Sequence, residues 1–264
     1  MIPKIIHYCW FGGNPKPNDV VKYISSWKKY CPDYEIKEWN ESNFDLNENE
    51  YCREAYEAKK WAFVTDYVRL KALYEEGGFY MDTDVEVVKP LEPLRIFNAV
   101  SGYESKHHIP TGTMGACRHN EWIGMLLKDY EGRHFIRENG VYDTTTNVVA
   151  ITNLTVNNYG LNLQGQRIIF GDNMAILPFD FLCAKSWETG KVIRTENTYT
   201  IHHFKGSWLS PEDQYCNALR TKCLQIMPGI LAMHVASYCA TVKYHGFGAA
   251  MGRVIRRIYH HGNK

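Results

Sequence analysis

Residues 63–88 read FVTDYVRLKALYEEGGFYMDTDVEVV, and the fold class turns on them. Their first part continues a helical pattern that begins near Glu54 and predicts one long helix to Glu76. Gly77-Gly78 stops it, as glycine does where a helix ends in a left-handed residue. Phe79-Tyr80-Met81 then reads as a short apolar strand. Asp82-Thr83-Asp84 follows at once, and Val85–Val88 reads as a further strand closed by Lys89-Pro90.

Upstream, Lys4–Trp10 (KIIHYCW) is β-rich, and Gly12-Gly13 with Pro15 and Pro17 marks a loop. Asn18 or Asp19 is placed to cap a helix reaching Tyr30, with Val20, Tyr23, Ile24 and Trp27 on one face. Tyr34–Trp39 alternates as a half-exposed strand does. Strand, helix and strand within the first forty residues begin an α/β fold. Downstream, residues 101–120 read as a Gly-, Ser- and His-rich loop around a site. Helices are predicted over Glu121–Tyr130 and Asn147–Asn157, and strands over Arg167–Phe170, Ala175–Leu177 and Thr198–Phe204. The remainder reads as amphipathic helix broken near Pro228-Gly229 and Gly246-Phe247-Gly248.

Asp82 and Asp84 are the sharpest chemical feature. Alternate residues of a strand share a face, so two carboxylates would lie side by side and repel unless a cation sits between them. Mg²⁺ and Mn²⁺ suit such oxygen ligands and share their remaining positions with phosphate. Asp66 and Arg69 are three apart on the preceding helix and therefore on one face. The carboxylate suits sugar hydroxyls, and the guanidinium fork suits phosphate.

The chain has 264 residues, a formal net charge of +1, 45% hydrophobic and 14% aromatic residues, which excludes a disordered chain. None of the eight cysteines forms a C-x-x-C pair, so no zinc ribbon is expected. MIPKIIHYCWFGG does not read as a signal peptide, which suggests a cytoplasmic protein with free thiols. The charge is uneven. Residues 214–264 hold no Asp or Glu but carry Arg220, Lys222, Lys243, Arg253, Arg256, Arg257 and Lys264, a formal +7, leaving −6 for the first 213 residues. A catalytic domain over 1–213 and a basic helical extension over 214–264 are expected, the latter suited to an anionic membrane surface on the inner face of the plasma membrane. Cys223–Val242 contains Gln225, Pro228, His234 and Ser237 and is not read as a transmembrane helix. No nucleic-acid partner is expected.

Three segments, IPKIIHYCWFGG, FVTDYVRLKALYEEGGFYMDTDVEV and IHHFKGSW, together resemble glycosyltransferase family 32. These are D-x-D sugar transferases of polysaccharide gene sets, related to the large glucosylating toxins and to family 8 galactosyltransferases. The resemblance covers residues 1–90 and 198–208 best. It implies a GT-A fold, a Rossmann-like mixed sheet flanked by helices. It further implies a nucleotide-sugar donor, a divalent Mn²⁺ or Mg²⁺, and transfer with retention; UDP-galactose or UDP-glucose is the expected donor, ahead of GDP-mannose.

By the same resemblance Trp10 matches the residue stacked on the donor base, and Asp66 and Arg69 those holding donor sugar and ribose. Tyr80 matches the aromatic before the metal aspartates; Asp82 would contact ribose and metal, and Asp84 the metal directly. His203 matches a further metal ligand, with His202 its rival, and Ser207 and Trp208 match residues near the diphosphate. Where many relatives carry Gly-Pro, this chain has Asp143-Thr144-Thr145-Thr146-Asn147, so the acceptor chemistry does not carry over. Asn147 suits either a donor-sugar contact or a helix cap. The expected acceptor is a saccharide, such as a lipid-linked oligosaccharide of capsule or other surface polysaccharide synthesis. The expected course is a same-face substitution in which the departing phosphate helps deprotonate the acceptor. Two alternatives are a haloacid dehalogenase-like phosphatase, with Gly171-Asp172 as its later motif, and a non-catalytic nucleotide-binding scaffold.

Overall fold

A computed structural model describes residues 1–109, 112–206 and 210–261, the last nine of these by backbone alone. The chain divides into two compact units, Met1–Ser186 with Val192–His203, and Trp187–Lys191 with Phe204–Lys264. The division falls after His203, where the charge asymmetry had put it after Asp213.

The first unit is built on β1 (Ile5–Cys9), α1 (Asn18–Tyr30), β2 (Glu35–Trp39), α2 (Glu50–Glu57), α3 (Trp61–Glu76), β3 (Gly78–Met81) and β4 (Val85–Val87). It continues with β5 (Ala99–Gly102), β6 (Thr113–Ala116), α4 (Glu121–Lys128), α5 (Asn147–Tyr159), β7 (Ile168–Phe170), β8 (Met174–Leu177), α6 (Phe179–Leu182) and β9 (Thr200–His202). Seven strands form one sheet in the order β2-β1-β3-β6-β5-β8-β7, and β4 pairs with β9 in a separate two-stranded ribbon. Strands β2, β1, β3, β5 and β8 run one way, and β6 and β7 the other. This is the α/β mixed sheet flanked by helices that the sequence led us to expect.

Period-two alternation divides the core between the two sheet faces. Ile6, Tyr8, Phe79 and Met81 pack with Trp27 on one side, while Cys9 and Tyr80 pack with Val68, Leu73 and Trp122 on the other. Tyr80 therefore faces the side that α3 covers, and brings the end of β3 to Arg69. On the other side α1 holds β4: Trp27 Nε1 donates to the Val85 carbonyl at 2.8 Å, and Ser26 Oγ accepts from Val87 N–H at 2.9 Å.

Three local expectations are corrected. Pro17 takes the capping position of α1, so Asn18 and Asp19 lie inside its first turn. The single helix predicted to Glu76 is two, because Lys59 is left-handed (φ 56°) and ends α2 with paired turns, Lys60 N–H to Ala55 O and Lys59 N–H to Tyr56 O. Residues 101–120 are not all loop but supply β6, and β5 precedes it. The helix does stop at Gly77-Gly78, yet Gly77 (φ 67°, ψ −168°) lies outside the left-handed helical region. Glycine is needed there for a second reason: a Cβ on Gly78 would lie 2.7 Å from Ile5 O, and one on Gly77 2.7 Å from Arg118 N.

The second unit is a helical hairpin, α7 (Pro211–Cys223) and α8 (Gly229–His261), the latter interrupted at Gly246 (φ 84°). Tyr244 Oη donates to Pro211 O at 3.0 Å and His245 Nε2 lies 2.6 Å from Glu212 Oε2, which bring α8 back beside the start of α7. Among the described residues no helix is long and apolar enough to cross a membrane.

Candidate active site

Because β2 and β3 lie on opposite sides of β1, the chain reverses its direction of sheet growth at the β1/β3 pair. Open α/β sheets leave a crevice at the carboxyl ends of strands where the order so switches. Trp10 leaves β1 and Asp82 leaves β3 at that edge.

The buried part of the site is one connected polar chain. Arg69, 4% exposed, reaches Asp66 Oδ1 at 3.1 Å and Asp82 Oδ1 at 3.3 Å. Its Nε bonds the Thr65 carbonyl at 3.2 Å, and its Cζ lies 4.6 Å from the centre of the Tyr80 ring. Tyr80 Oη donates to Asp82 Oδ1 at 3.0 Å. Burial raises the Asp66 carboxyl from 3.8 to about 6 in spite of Arg69. Burial would lower the Arg69 pKa, but Asp82, Tyr80 and Asp66 outweigh it, and the guanidinium stays charged. Asn147 donates Nδ2 to Asp66 Oδ1 at 3.1 Å, while its own Oδ1 is buried with no hydrogen-bond partner among the described residues. An unpaired buried acceptor is costly, and a ligand hydroxyl would relieve it. Asn147 does not cap α5; Thr146 holds that position.

Asp82-Thr83-Asp84 is a turn rather than a strand, with Val85 N–H bonded to Asp82 O at 3.0 Å. The two carboxylates still converge, and the third member of their cluster is His202: one ligand atom from each of Asp82, Asp84 and His202 lies within 4.8 Å of the others. His202 Nε2 is 3.2 Å from Asp84 Oδ1 and 4.0 Å from Asp82 Oδ2. The expectation for His203 is thereby corrected. Adjacent residues at a strand end face opposite ways, and His203 turns to bond Glu86 Oε2 at 2.9 Å while stacking on Tyr23 at 4.6 Å. Burial lowers the His203 pKa, against the pull of Glu86.

The donor set fits a divalent cation. Asp82 spends Oδ1 on Arg69 and Tyr80 and leaves Oδ2 toward His202. Two carboxylates and an imidazole suit Mn²⁺ well and Mg²⁺ through the oxygens. Without a cation the imidazolium balances the aspartates: burial disfavours the charge, but Asp84 outweighs it and keeps the His202 pKa well above its usual value. Metal and proton therefore compete for this ring. Two further residues fix the ring, and both escaped the sequence reading. The Cys183 carbonyl accepts the His202 amide N–H at 2.9 Å, and its side chain is among the groups that act on the ring. Gly112 presents bare backbone to the ring, and a Cβ there would lie 2.8 Å from Nδ1. Gly112→Ala should therefore tilt His202 and weaken Mn²⁺ affinity by about 10- to 100-fold, the range for disturbed support of a metal ligand. Isothermal titration checks this, and unchanged affinity would show that Gly112 does not hold the ring.

Glu104, just beyond β5 at the same edge of the sheet, was also missed. Burial holds its carboxyl above its ordinary value, with His202, Asp82 and Asp84 among the charges that act on it. Trp10 is half-buried, its Nε1 donating to Asn14 O at 2.6 Å and Lys16 Nζ lying 5.7 Å from its ring centre. Ser207 and Trp208 lie outside the described residues. Asp143 is a structural staple: it accepts from Arg133 Nε at 3.0 Å, from Arg137 at 3.0 Å and from Thr145 N–H at 3.2 Å, and its pKa falls to about 2 because these bonds outweigh its burial. Arg133 itself lies between the rings of Tyr51 and Tyr130, at 4.8 and 5.1 Å. That clamp fixes the segment leading to Asn147.

Residues 17–101 match the family described as a glycosyltransferase sugar-binding region containing a DXD motif, and Asp82-Thr83-Asp84 is the DXD within them. Among curated proteins the chain is 27% identical over 136 residues to inositol phosphoceramide mannosyltransferase 3 of Schizosaccharomyces pombe, covering 48% of this chain and 37% of that protein. It is 27% identical over 111 residues to subversion of eukaryotic traffic protein A of Legionella pneumophila, covering 32% of this chain and 17% of that protein. The chain thus spans well under half the length of either relative. Similar solved structures include the PaToxG glycosyltransferase (TM-score 0.46, 19% identity, 60% of this chain and 70% of that one). Another is the galactosyltransferase LgtC with donor and acceptor sugar analogs (TM-score 0.40, 12% identity, 83% and 94%). The phosphatase alternative finds no support. Gly171-Asp172 forms the turn before β8, at the amino end of a strand parallel to β5, which is the opposite sheet edge from Asp82.

Proposed function

We propose that the chain is a metal-dependent retaining glycosyltransferase moving a hexose from a nucleoside diphosphate sugar to a saccharide acceptor. The observation that carries this is the unbroken chain Asn147–Asp66–Arg69–Asp82 joined to the Asp82–Asp84–His202 cluster, opening on the sheet edge where Trp10 leaves β1. Asp66 and the unpaired Asn147 Oδ1 would receive hydroxyls of the donor sugar, and Arg69 would keep Asp66 and Asp82 oriented. Trp10 would stack on the base, for which a tryptophan face contributes roughly 1–3 kcal/mol. Asp82, Asp84 and His202 would hold a divalent cation, which would supply positive charge against the leaving diphosphate. UDP-galactose or UDP-glucose is the favoured donor. GDP-mannose is the second reading, which the name of the yeast relative favours. The same name points to a lipid-borne acceptor, in keeping with a lipid-linked oligosaccharide at the inner membrane face.

A thermal-shift screen of UDP-galactose, UDP-glucose and GDP-mannose with Mn²⁺ tests the reading, since binding to the folded state raises apparent stability. One donor should stabilise the protein only with metal, and be slowly hydrolysed. No shift with any donor, alongside phosphate release from phosphomonoesters, would overturn it. Trp10→Ala should raise the donor KM several-fold with an unchanged melting temperature; early melting instead would make Trp10 a core residue.

A further inference from the structure

The tip of the α7–α8 hairpin carries an apolar surface that the hairpin does not use. Between Lys222 and Lys243 the chain has no Asp, Glu, Lys or Arg. It is nevertheless no membrane span, because it turns back at Met227-Pro228-Gly229 between the two helices. On α8 the buried stripe is small: Ala232, Ala236 and Ala240, at intervals of four. The large apolar residues lie outside it. Ile226 is 81% exposed, Ile230 74%, Leu231 51% and Met233 48%. Four large aliphatic side chains in one eight-residue bend is the arrangement that marks an interaction site rather than scattered surface.

The charges around this tip say what it meets. Lys222 is exposed in the last turn of α7, and Arg220, two residues before it, packs over Trp187. Of the unit's acidic residues, Glu212 and Asp213 lie at the opposite end of α7, about 20 Å away for a helix of this length, and Glu188 adjoins the Trp187 that Arg220 covers. From residue 214 on there is none. An apolar tip with the exposed Lys222 beside it, on a hairpin whose own acids are only Glu212 and Asp213 at its far end, fits a surface that is greasy inside and negatively charged outside.

We propose that the α7–α8 tip inserts Ile226, Ile230, Leu231 and Met233 into one leaflet of an anionic bilayer while Lys222 and Arg220 meet the headgroups. This rests on the reading of the chain as a transferase with a lipid-borne acceptor and adds how the enzyme reaches it. Attachment is then hydrophobic as well as electrostatic, as for helices that lie in the interface without crossing it.

The test uses the full chain and vesicles of pure phosphatidylcholine or of phosphatidylcholine with 30% phosphatidylglycerol (about 3:7), read by sedimentation. Wild type should bind the anionic vesicles at least tenfold more tightly, and Ile226→Glu/Ile230→Glu should lose about tenfold or more of that binding. Melting temperature and vesicle-free donor hydrolysis should stay unchanged, because both residues are exposed. Undiminished binding by the double variant overturns the proposal, as does equal binding of wild type to both vesicle types. So does a wild-type dimer in solution that the double variant dissolves, since the tip would then cover a second copy. Absent donor hydrolysis with intact, Ile-dependent vesicle binding overturns the transferase reading and leaves the insertion standing.

Discussion

Asp84→Asn is expected to reduce sugar transfer about a thousandfold, a loss of ~4 kcal/mol of transition-state stabilisation. Asn keeps the shape and one oxygen but carries no charge, and the site then offers a hard cation a single carboxylate. The His202 contact with Asp84 at 3.2 Å adds a second effect. The aspartate is the main group holding the ring protonated, so the variant should release that proton nearer neutrality. The neutral imidazole can still bond the amide, and stability should change by little. Transfer measured across a Mn²⁺ titration, with calorimetric Mn²⁺ affinity beside it, decides the matter. Near-normal rates at low Mn²⁺ would mean that this cluster is not the metal site.

Arg69→Met should be the most destabilising single change in the site, at about 3–5 kcal/mol. The guanidinium is buried between Asp66 and Asp82, and its removal strands a carboxylate whose side chain is only 11% exposed. The sign of the pH dependence follows from Asp66. Its folded pKa of about 6 lies above the ordinary 3.8, so ionising it costs stability as pH rises through that window. Arg69 is the largest influence opposing that rise, so its loss extends the cost to higher pH. Urea unfolding should show a larger deficit for the variant at pH 8 than at pH 5. A deficit under about 1 kcal/mol at both would place the pair among weak surface bridges.

The carboxylates of this site were legible in the sequence because they depend on local spacing. Asp66 and Arg69 sit three apart on a helix, and Asp82 and Asp84 flank one residue, so any compact path from α3 into β3 gathers them. The opening βαβ was legible for the same reason: period two in β1 and β2, and period 3.6 in α1. Strands β5 and β6 were not, because AVSG and TMGA are four-residue strands buried on both faces, with no alternation to read. Gly115 is there because Phe79 packs where its Cβ would stand, at 2.7 Å, and that is tertiary information. The choice between His202 and His203 is likewise absent from the local sequence. It is set by which face of β9 turns to the aspartates once Val85 pairs with His202. Glu104, Gly112 and Cys183 reach the site through the same long-range closure.

That ribbon has a consequence for how the protein is made. Asp84 lies beside β4 and His202 ends β9, so the cluster closes only when a late segment of the chain returns to an early one. During synthesis the aspartates emerge long before their histidine, and domains form progressively from the amino end. A ribosome-bound chain ending before residue 200 would hold Asp66, Arg69, Asp82, Asp84 and Asn147 but not His202. Pairing so distant in sequence is slow to form. Capture of a cation by Asp82, Asp84 and His202 would then follow the pairing of β9 with β4, and a bound ion would hold the two strands together.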